Sequence, residues 1–299
     1  MIKKTVQFGI LLILLDCAIS LAGTSGELRV GYPSRMFFDV DARDAQVAIE
    51  LWSKQVTTHM GTPLESRTIF FDNLDSLVKM IKGGEIDVLT LFTLDYMKIK
   101  EKVDIEPFLV AVRNDQVGDE FLLLTHVDSR ANSIEDLKDG DLIVETGRSS
   151  LPLGLLWLDT LLMKAELAKR SSYFNSIKET TKTSQAILPV FFQQADLCIV
   201  TRHSFETMAE LNPQLHTNLI VLAHSPNLVR ALYFAQKGMD SEIREVVEDG
   251  ATQLQHHVEG QQILTLFKAE RIIPFEPHYL DGVKDLLNEH KELLCRRAD

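Results

Sequence analysis

The chain has 299 residues and a formal net charge of −12 at neutral pH. This acidic balance argues against a nucleic-acid partner, which would require a basic surface. It does not exclude a locally positive site for a small ligand. The length exceeds that of one ordinary domain and suits two lobes, each with its own core.

The first 22 residues have the pattern of a secretory signal peptide. Lys3 and Lys4 form a basic start, residues 8–15 form an apolar run, and small residues precede a cleavage site after Ala22. The apolar run is too short to cross a bilayer. Asp16 directly before Cys17 argues against a lipid-modified cysteine. We expect an exported, cleaved protein, with a retained anchor as the alternative.

The remainder alternates between apolar strand-like runs and amphipathic helical patterns, which predicts parallel strands connected by helices. Strands are predicted at residues 28–31, 65–71, 86–92, 107–113, 121–127, 141–146, 196–201, 218–223 and 228–236. Helices are predicted at residues 42–60, 74–82, 151–167, 184–194, 204–211, 241–267 with a break near Gly250 or Gly260, and 277–294.

Two sheets fit this order better than one. The predicted fold class is α/β, with two doubly wound α/β lobes joined by a hinge that the chain crosses twice. The expected division is a signal peptide at 1–22, a first lobe at 23–113 plus 222–299, and a second lobe at 118–221. The closing helical stretch has no strands of its own and is expected to cover the first lobe.

In doubly wound sheets, ligands bind beyond the carboxyl ends of the strands, near helix N-termini. Several polar or aromatic residues occupy such positions in both predicted lobes. The candidate ligand-binding residues are Tyr32, Thr93, Tyr96, Arg148, Ser149, Ser150, Thr183, Ser184 and Arg202. Residues 148–150 directly precede the predicted helix 151–167, and they would bind an anion at its N-terminus. Taken singly, the hydroxyls are also ordinary helix caps and the arginines ordinary surface residues.

Known catalytic and cofactor motifs are missing from the sequence. It contains no G-x-S-x-G, H-E-x-x-H or C-x-x-C pattern and no glycine-rich nucleotide loop. We therefore expect no enzyme activity, no cofactor and no metal. Beyond the signal peptide only Cys198 and Cys295 remain, and we expect a buried thiol and a free surface thiol, with a disulfide as the alternative.

Several stretches resemble a known family. They are residues 28–32, 84–88, 93–96, 133–140 and 275–287, the last containing Tyr279. With them the chain resembles the periplasmic phosphate, phosphite and phosphonate substrate-binding proteins of ABC transporters, which have the type II periplasmic binding protein fold. The sequence departs from the family at Arg148-Ser149-Ser150, where Ser-Thr-Ser-Gly is common, and at Lys182, near which the family often has a histidine.

This resemblance implies a periplasmic protein that captures a small oxyanion between its lobes and delivers it to a transporter. The expected partners are the small anionic ligand and an ABC transporter permease or a membrane sensor protein, and the chain is expected to be a monomer. A ligand-sensing partner of a membrane receptor kinase is the alternative function, and an exported enzyme is a further one.

The signal peptide gives the first testable prediction. Intact-mass measurement of exported protein should give a chain that begins at or near Gly23, because the cleavage site lies after Ala22. A lipid on Cys17, or residues 1–22 still attached, would contradict the prediction.

Overall fold

The computed structural model describes residues 27–37, 42–59, 65–145 and 151–298. The predicted signal peptide and residues 146–150 therefore lie outside the described parts of the chain. Among the described helices, none combines the length and hydropathy that a bilayer-spanning segment needs.

The described residues form two β-sheets covered by helices. The strands are β1 (Glu27–Pro33), β2 (Glu65–Phe71), β3 (Val88–Phe92), β4 (Ile105–Val112), β5 (Phe121–His126), β6 (Asp141–Glu145), β7 (Ser176–Thr180), β8 (Leu197–Thr201), β9 (Leu219–His224), β10 (Ala231–Gln236) and β11 (Arg271–Pro274). The α-helices are α1 (Ala42–His59), α2 (Leu74–Lys82), α3 (Thr93–Ile99), α4 (Leu151–Lys164), α5 (Arg170–Tyr173), α6 (Thr183–Phe191), α7 (Arg202–Leu211), α8 (Gln214–Asn218), α9 (Ser241–Gln253), α10 (Val258–Leu266) and α11 (Asp281–Ala298).

The sheets confirm the predicted two-lobed α/β class. The first has the order β11-β4-β10-β3-β1-β2 and the second the order β7-β6-β8-β5-β9. β1 pairs in parallel with β2 and β3, and β6 with β7 and β8. However, β10 runs antiparallel to β3 and β4, and β5 antiparallel to β8 and β9. Each of these strands follows a crossing from the other lobe, so it enters its sheet from the opposite end.

Local sequence explains the predicted elements that surround the later site. All five residues of β3 and all six of β5 are buried, as continuous apolar runs in covered strands should be. α2 begins where the side chain of Asn73 accepts a 2.9 Å hydrogen bond from the backbone N–H of Ser76. It ends before Gly84, whose φ of 65° a residue with a side chain rarely adopts.

Two strands were missing from the sequence prediction. β7 and β11 are short edge strands, and most of their residues are at least partly exposed. Edge strands need little apolar sequence, so hydrophobic periodicity does not reveal them.

The break predicted near Gly250 or Gly260 was wrong by a few residues. Gly250 lies within α9 and Gly260 within α10, while the chain turns at Leu254–His256. A Cβ atom at Gly260 would lie 2.1 Å from the carbonyl oxygen of Leu254. The glycine therefore allows α10 to pack closely on the turn before it, and does not end the helix.

The predicted division into lobes differs from the structure at two places. β9 pairs with β5 along its whole length, so residues 222–224 belong to the second sheet rather than to the first lobe. α9 and α10 contribute to a core with strands of the first sheet, as expected. α11, in contrast, packs on α4, with Val283 and Leu286 in one apolar cluster with Trp157. α4 is apolar on more than one face and needs this cover.

The two lobes are joined by residues 113–120 and 225–230, and these segments pair with each other. The backbone N–H of Asp119 donates to the carbonyl of Leu228 at 3.0 Å, and the reverse bond measures 2.9 Å. The Asn227 side chain adds a 2.6 Å bond to the carbonyl of Val117. Between them Gly118 has a φ of 99° and lies against Leu228, where a Cβ atom would clash. The hinge is therefore a short two-stranded ribbon.

Gly282 is a third glycine, after Gly260 and Gly118, that lies close to backbone of another segment, and it gives a stability prediction. An added methyl group at Gly282, in the first turn of α11, would lie 2.4 Å from the carbonyl oxygen of Asn227. Helix propensity alone predicts that Gly282→Ala stabilises by about 1 kcal/mol. We expect the opposite, a loss of about 1–3 kcal/mol in the free energy of unfolding, because the backbone must shift to admit the methyl group.

Gly238→Ala is the matched control, because nothing lies within 4 Å of a Cβ atom there. Urea denaturation of both variants should show a loss only for Gly282→Ala. Equal or greater stability of Gly282→Ala than of wild type would show that α11 does not press on the hinge.

Candidate functional site

A cavity of about 780 Å³ lies where the two lobes and the hinge meet. The first lobe contributes Thr90 and Tyr233, the hinge Arg113 and Arg230, and the second lobe a group of polar side chains around Glu145. The volume is within the range of pockets that enclose small ligands. The chain thus places a cavity where the predicted cleft should be.

The wall from the second lobe is organised around the carboxylate of Glu145, the last residue of β6. Its Oε1 atom accepts hydrogen bonds from the Thr183 hydroxyl at 2.5 Å and the Ser204 hydroxyl at 3.2 Å. These hydroxyls come from the first turns of α6 and α7, and Thr201 caps α7 by accepting from the Ser204 N–H at 3.1 Å. Glu145 is only 9% exposed, and its Oε2 atom has no hydrogen-bond partner.

The wall from the first lobe is more apolar. Phe92 ends β3, and the guanidinium of Arg35 lies 4.4 Å from the centre of its ring while it also pairs with Asp95. Thr90 lies in the same strand, is 3% exposed, and has a hydroxyl oxygen without a partner. Buried polar groups normally have partners, so the unpaired atoms of Thr90 and Glu145 are notable at a cavity wall.

The hinge supplies positive charge. The Nε atom of Arg230 lies 2.5 Å from a carboxylate oxygen of Asp119, and both groups are largely buried. The Nε–H of Arg113 donates to the backbone carbonyl of Lys268. Burial, and second the nearby charge of Arg230, lower the pKa of Arg113 to about 10. Arg113 therefore remains charged at neutral pH.

Three of the predicted site residues lie inside the first lobe. The ring of Tyr32 stacks on Phe267 with centres 5.5 Å apart, and the ring of Tyr96 packs on Phe234 at 4.5 Å. Thr93 is fully buried, and its N–H donates to the carbonyl of Arg230 at 2.8 Å. None of the three lines the cavity. They belong to the packed interior of the first lobe.

The predicted residues of the second lobe separate into three groups. Thr183 lines the cavity, whereas Ser184 is exposed outside it. Arg202 pairs with Glu120 at the base of α7 and does not line the cavity. That pairing lowers the pKa of Glu120. Arg148, Ser149 and Ser150 lie outside the described residues, so their role remains a prediction.

Sequence reasoning missed Arg113, Arg230, Glu145 and Thr90. Arg113 and Glu145 stand at the carboxyl ends of β4 and β6. The predicted strands extended to Arg113 and Thr146, so both residues counted as strand residues and the site was expected beyond them. Arg230 precedes an antiparallel strand, so only the sheet order brings it to this edge. Thr90 lies within an apolar strand, and nothing in the sequence marks it.

The remaining chemistry of the described residues is limited. Cys198 is buried and Cys295 exposed, and both are free thiols, as the sequence analysis expects. Burial raises the pKa of the Cys198 thiol, so it is unreactive. Within the described ranges, no three His, Cys, Asp or Glu side chains are arranged to hold a metal ion.

Two α/β lobes around such a cavity have the fold of type II periplasmic binding proteins. Residues 40–280 match the family described as the periplasmic substrate-binding protein of the phosphonate ABC transporter, and the chain belongs to this family. The resemblance found in the sequence is confirmed. No curated protein matches the chain by sequence.

Similar solved structures agree on the fold. XAC2383 from Xanthomonas citri, bound to chloride, has a TM-score of 0.61 and 13% identity, covering 90% of this chain and 99% of that one. A binding protein component of a Pseudomonas aeruginosa ABC phosphonate transporter has a TM-score of 0.57 and 14% identity, covering 90% and 88%. PhnD1 from Prochlorococcus marinus, in complex with methylphosphonate, has a TM-score of 0.56 and 17% identity, covering 88% and 98%.

The Glu145 cluster gives a testable prediction. Thr183→Val keeps the side-chain shape but removes the hydroxyl that donates to a buried carboxylate. We expect a loss of about 1–3 kcal/mol in the free energy of unfolding, because hydrogen bonds to charged groups contribute this much.

Ser184→Ala is the control, since it removes a neighbouring but exposed hydroxyl and should change stability by less than about 0.5 kcal/mol. Urea denaturation at neutral pH measures both. The same small change in the two variants would show that the Thr183 bond does not stabilise the protein.

Proposed function

We propose that this protein is exported to the periplasm, captures a small oxyanion of the phosphonate class in the cavity between its lobes, and delivers it to an ABC transporter. The observation that carries the proposal is the cavity itself. It is bounded by both lobes and the hinge, and its lining includes hydroxyl groups and the guanidinium groups of Arg113 and Arg230, beside the carboxylates of Asp119, Glu145 and Glu270. Hydroxyl and guanidinium donors are the groups that bind oxyanions in proteins.

The hinge supports a binding cycle in which the lobes close on the ligand. Only two paired segments connect the sheets, and a few backbone angles there can absorb a rotation of one lobe against the other. A membrane partner would then distinguish the closed, loaded form from the open form. This property serves transport, and it would equally serve a sensor protein. Membership of the transporter family favours transport.

On the second lobe, we propose that Arg148, Ser149 and Ser150 hold the oxyanion at the start of α4. Thr183 begins α6, lines the cavity and would stand on the same side of the ligand. A helix as long as α4 provides backbone N–H groups and a positive dipole end at its first turn. Arg148 adds a charge that such a ligand would neutralise.

A thermal-shift screen of the mature protein tests the function. Methylphosphonate, phosphate, phosphite, sulfate and glycine are the probes. At one hundred times its dissociation constant, a true ligand adds about 2.7 kcal/mol to the free energy of unfolding. We expect a phosphorus oxyanion to stabilise and glycine not to. Small-angle scattering should then give a smaller radius of gyration with that ligand, and stabilisation by none of the oxyanions would overturn the proposal.

The site on the second lobe is tested by replacing Ser149 and Ser150 together with alanine. If they bind the oxyanion, calorimetry should show an affinity about tenfold to a hundredfold lower for each lost bond. If they only cap α4, the variant loses about 1–2 kcal/mol of stability and keeps its affinity. Wild-type affinity in a folded variant would remove these residues from the site.

A further inference from the structure

Two arginines stand side by side at the hinge end of the first sheet. Arg113 directly follows β4 and Arg230 directly precedes β10, and these strands are antiparallel neighbours. Both residues line the cavity. They are close enough for the charge of Arg230 to lower the pKa of Arg113. The fold thus gathers two like charges at one wall, which costs free energy unless negative charge is also present.

The nearby carboxylates supply this negative charge to the two arginines unequally. Asp119 pairs with Arg230 at 2.5 Å and also acts on Arg113 through its charge. Glu270 accepts a 3.4 Å hydrogen bond from the backbone N–H of Asp115 and acts on Arg113 only through its charge. The contact that orients Arg113 is to a neutral group, the carbonyl of Lys268. Its guanidinium is therefore a partly buried cation whose own hydrogen-bond acceptor carries no charge.

A third donor lies at the same wall. Tyr233 is in β10, lines the cavity and interacts electrostatically with Arg113. Burial raises the pKa of its hydroxyl, so this group stays protonated and can donate a hydrogen bond. A planar guanidinium beside a phenol suits a carboxylate, which accepts two parallel N–H bonds.

We propose that Arg113, with Arg230 and Tyr233 beside it, forms a second anion subsite in the cleft, and that the ligand is a phosphonocarboxylate. This inference rests on the proposed function, because it assumes that the phosphonate group is held from the second lobe. The carboxylate then lies at the hinge wall, against Arg113. A cavity of 780 Å³ has room for such a two-headed molecule.

The test compares two probes that differ only in the second acidic group. 3-Phosphonopropionate and propylphosphonate have the same chain length, and calorimetry measures both against the mature protein. We expect wild type to bind 3-phosphonopropionate at least about tenfold more tightly, as a charge-assisted pair contributes this much. In Arg113→Gln the ratio of the two affinities should fall to about one.

Arg170→Gln is the matched control. Arg170 is partly exposed, pairs with Asp159 in the second lobe, and does not line the cavity. This variant should keep the wild-type ratio. Arg113→Lys, which keeps the charge but not the planar fork, should lower the ratio without abolishing it.

The outcomes separate this inference from the proposed function. Equal binding of the two probes by wild type overturns the second subsite and leaves phosphonate capture intact, whether or not Arg113→Gln folds. A preference that persists in Arg113→Gln also overturns the assignment. If neither probe binds, the second subsite is overturned, and the thermal-shift screen decides separately whether the cleft binds another oxyanion.

Discussion

Two reciprocal hydrogen bonds between Asp119 and Leu228 determine the geometry on which the rest of the molecule depends. They hold the two chain crossings together as one ribbon. β5 and β10 each follow one of these crossings, and each runs antiparallel to neighbouring strands of its sheet. The cavity is the space left beside this ribbon. The side chain of Asp119 also pairs with Arg230, so one residue sets both the backbone and the charge of the hinge.

The charge of the whole chain and the charge of the cleft are separate quantities. The chain carries −12, yet Arg113 and Arg230 meet at the hinge wall. On the opposite wall the Glu145 carboxylate is buried and held by the Thr183 and Ser204 hydroxyls. Low-dielectric walls strengthen such local fields, so an acidic protein can still attract an anion into its cleft.

α11 links the hinge to the second lobe. It follows elements of the first lobe but packs on α4, where Lys164 and Glu289 form a 2.8 Å ion pair and Thr160 contacts His290 at 3.0 Å. Its first turn lies directly against Asn227, where only a glycine fits. In the lobe closure that we propose, α11 moves with the second lobe, and Gly282 lies against the hinge segment.

The sequence by itself determined the α/β class and most helices and strands, because these depend on local periodicity and on helix-ending residues such as Gly83 and Gly84. The export signal stays a prediction. The sequence also predicted Thr183 as a site residue, because it directly precedes a predicted helix and helix N-termini bind anions. Only the tertiary structure decided that Tyr32 and Tyr96 are packed within the first lobe and that Arg202 pairs with Glu120. The same is true of Arg230 and Thr90, which reach the cavity through antiparallel pairing of β10 with β3. Pairing between strands far apart in the chain leaves no local pattern, so residues defined by it cannot be recognised from the sequence alone.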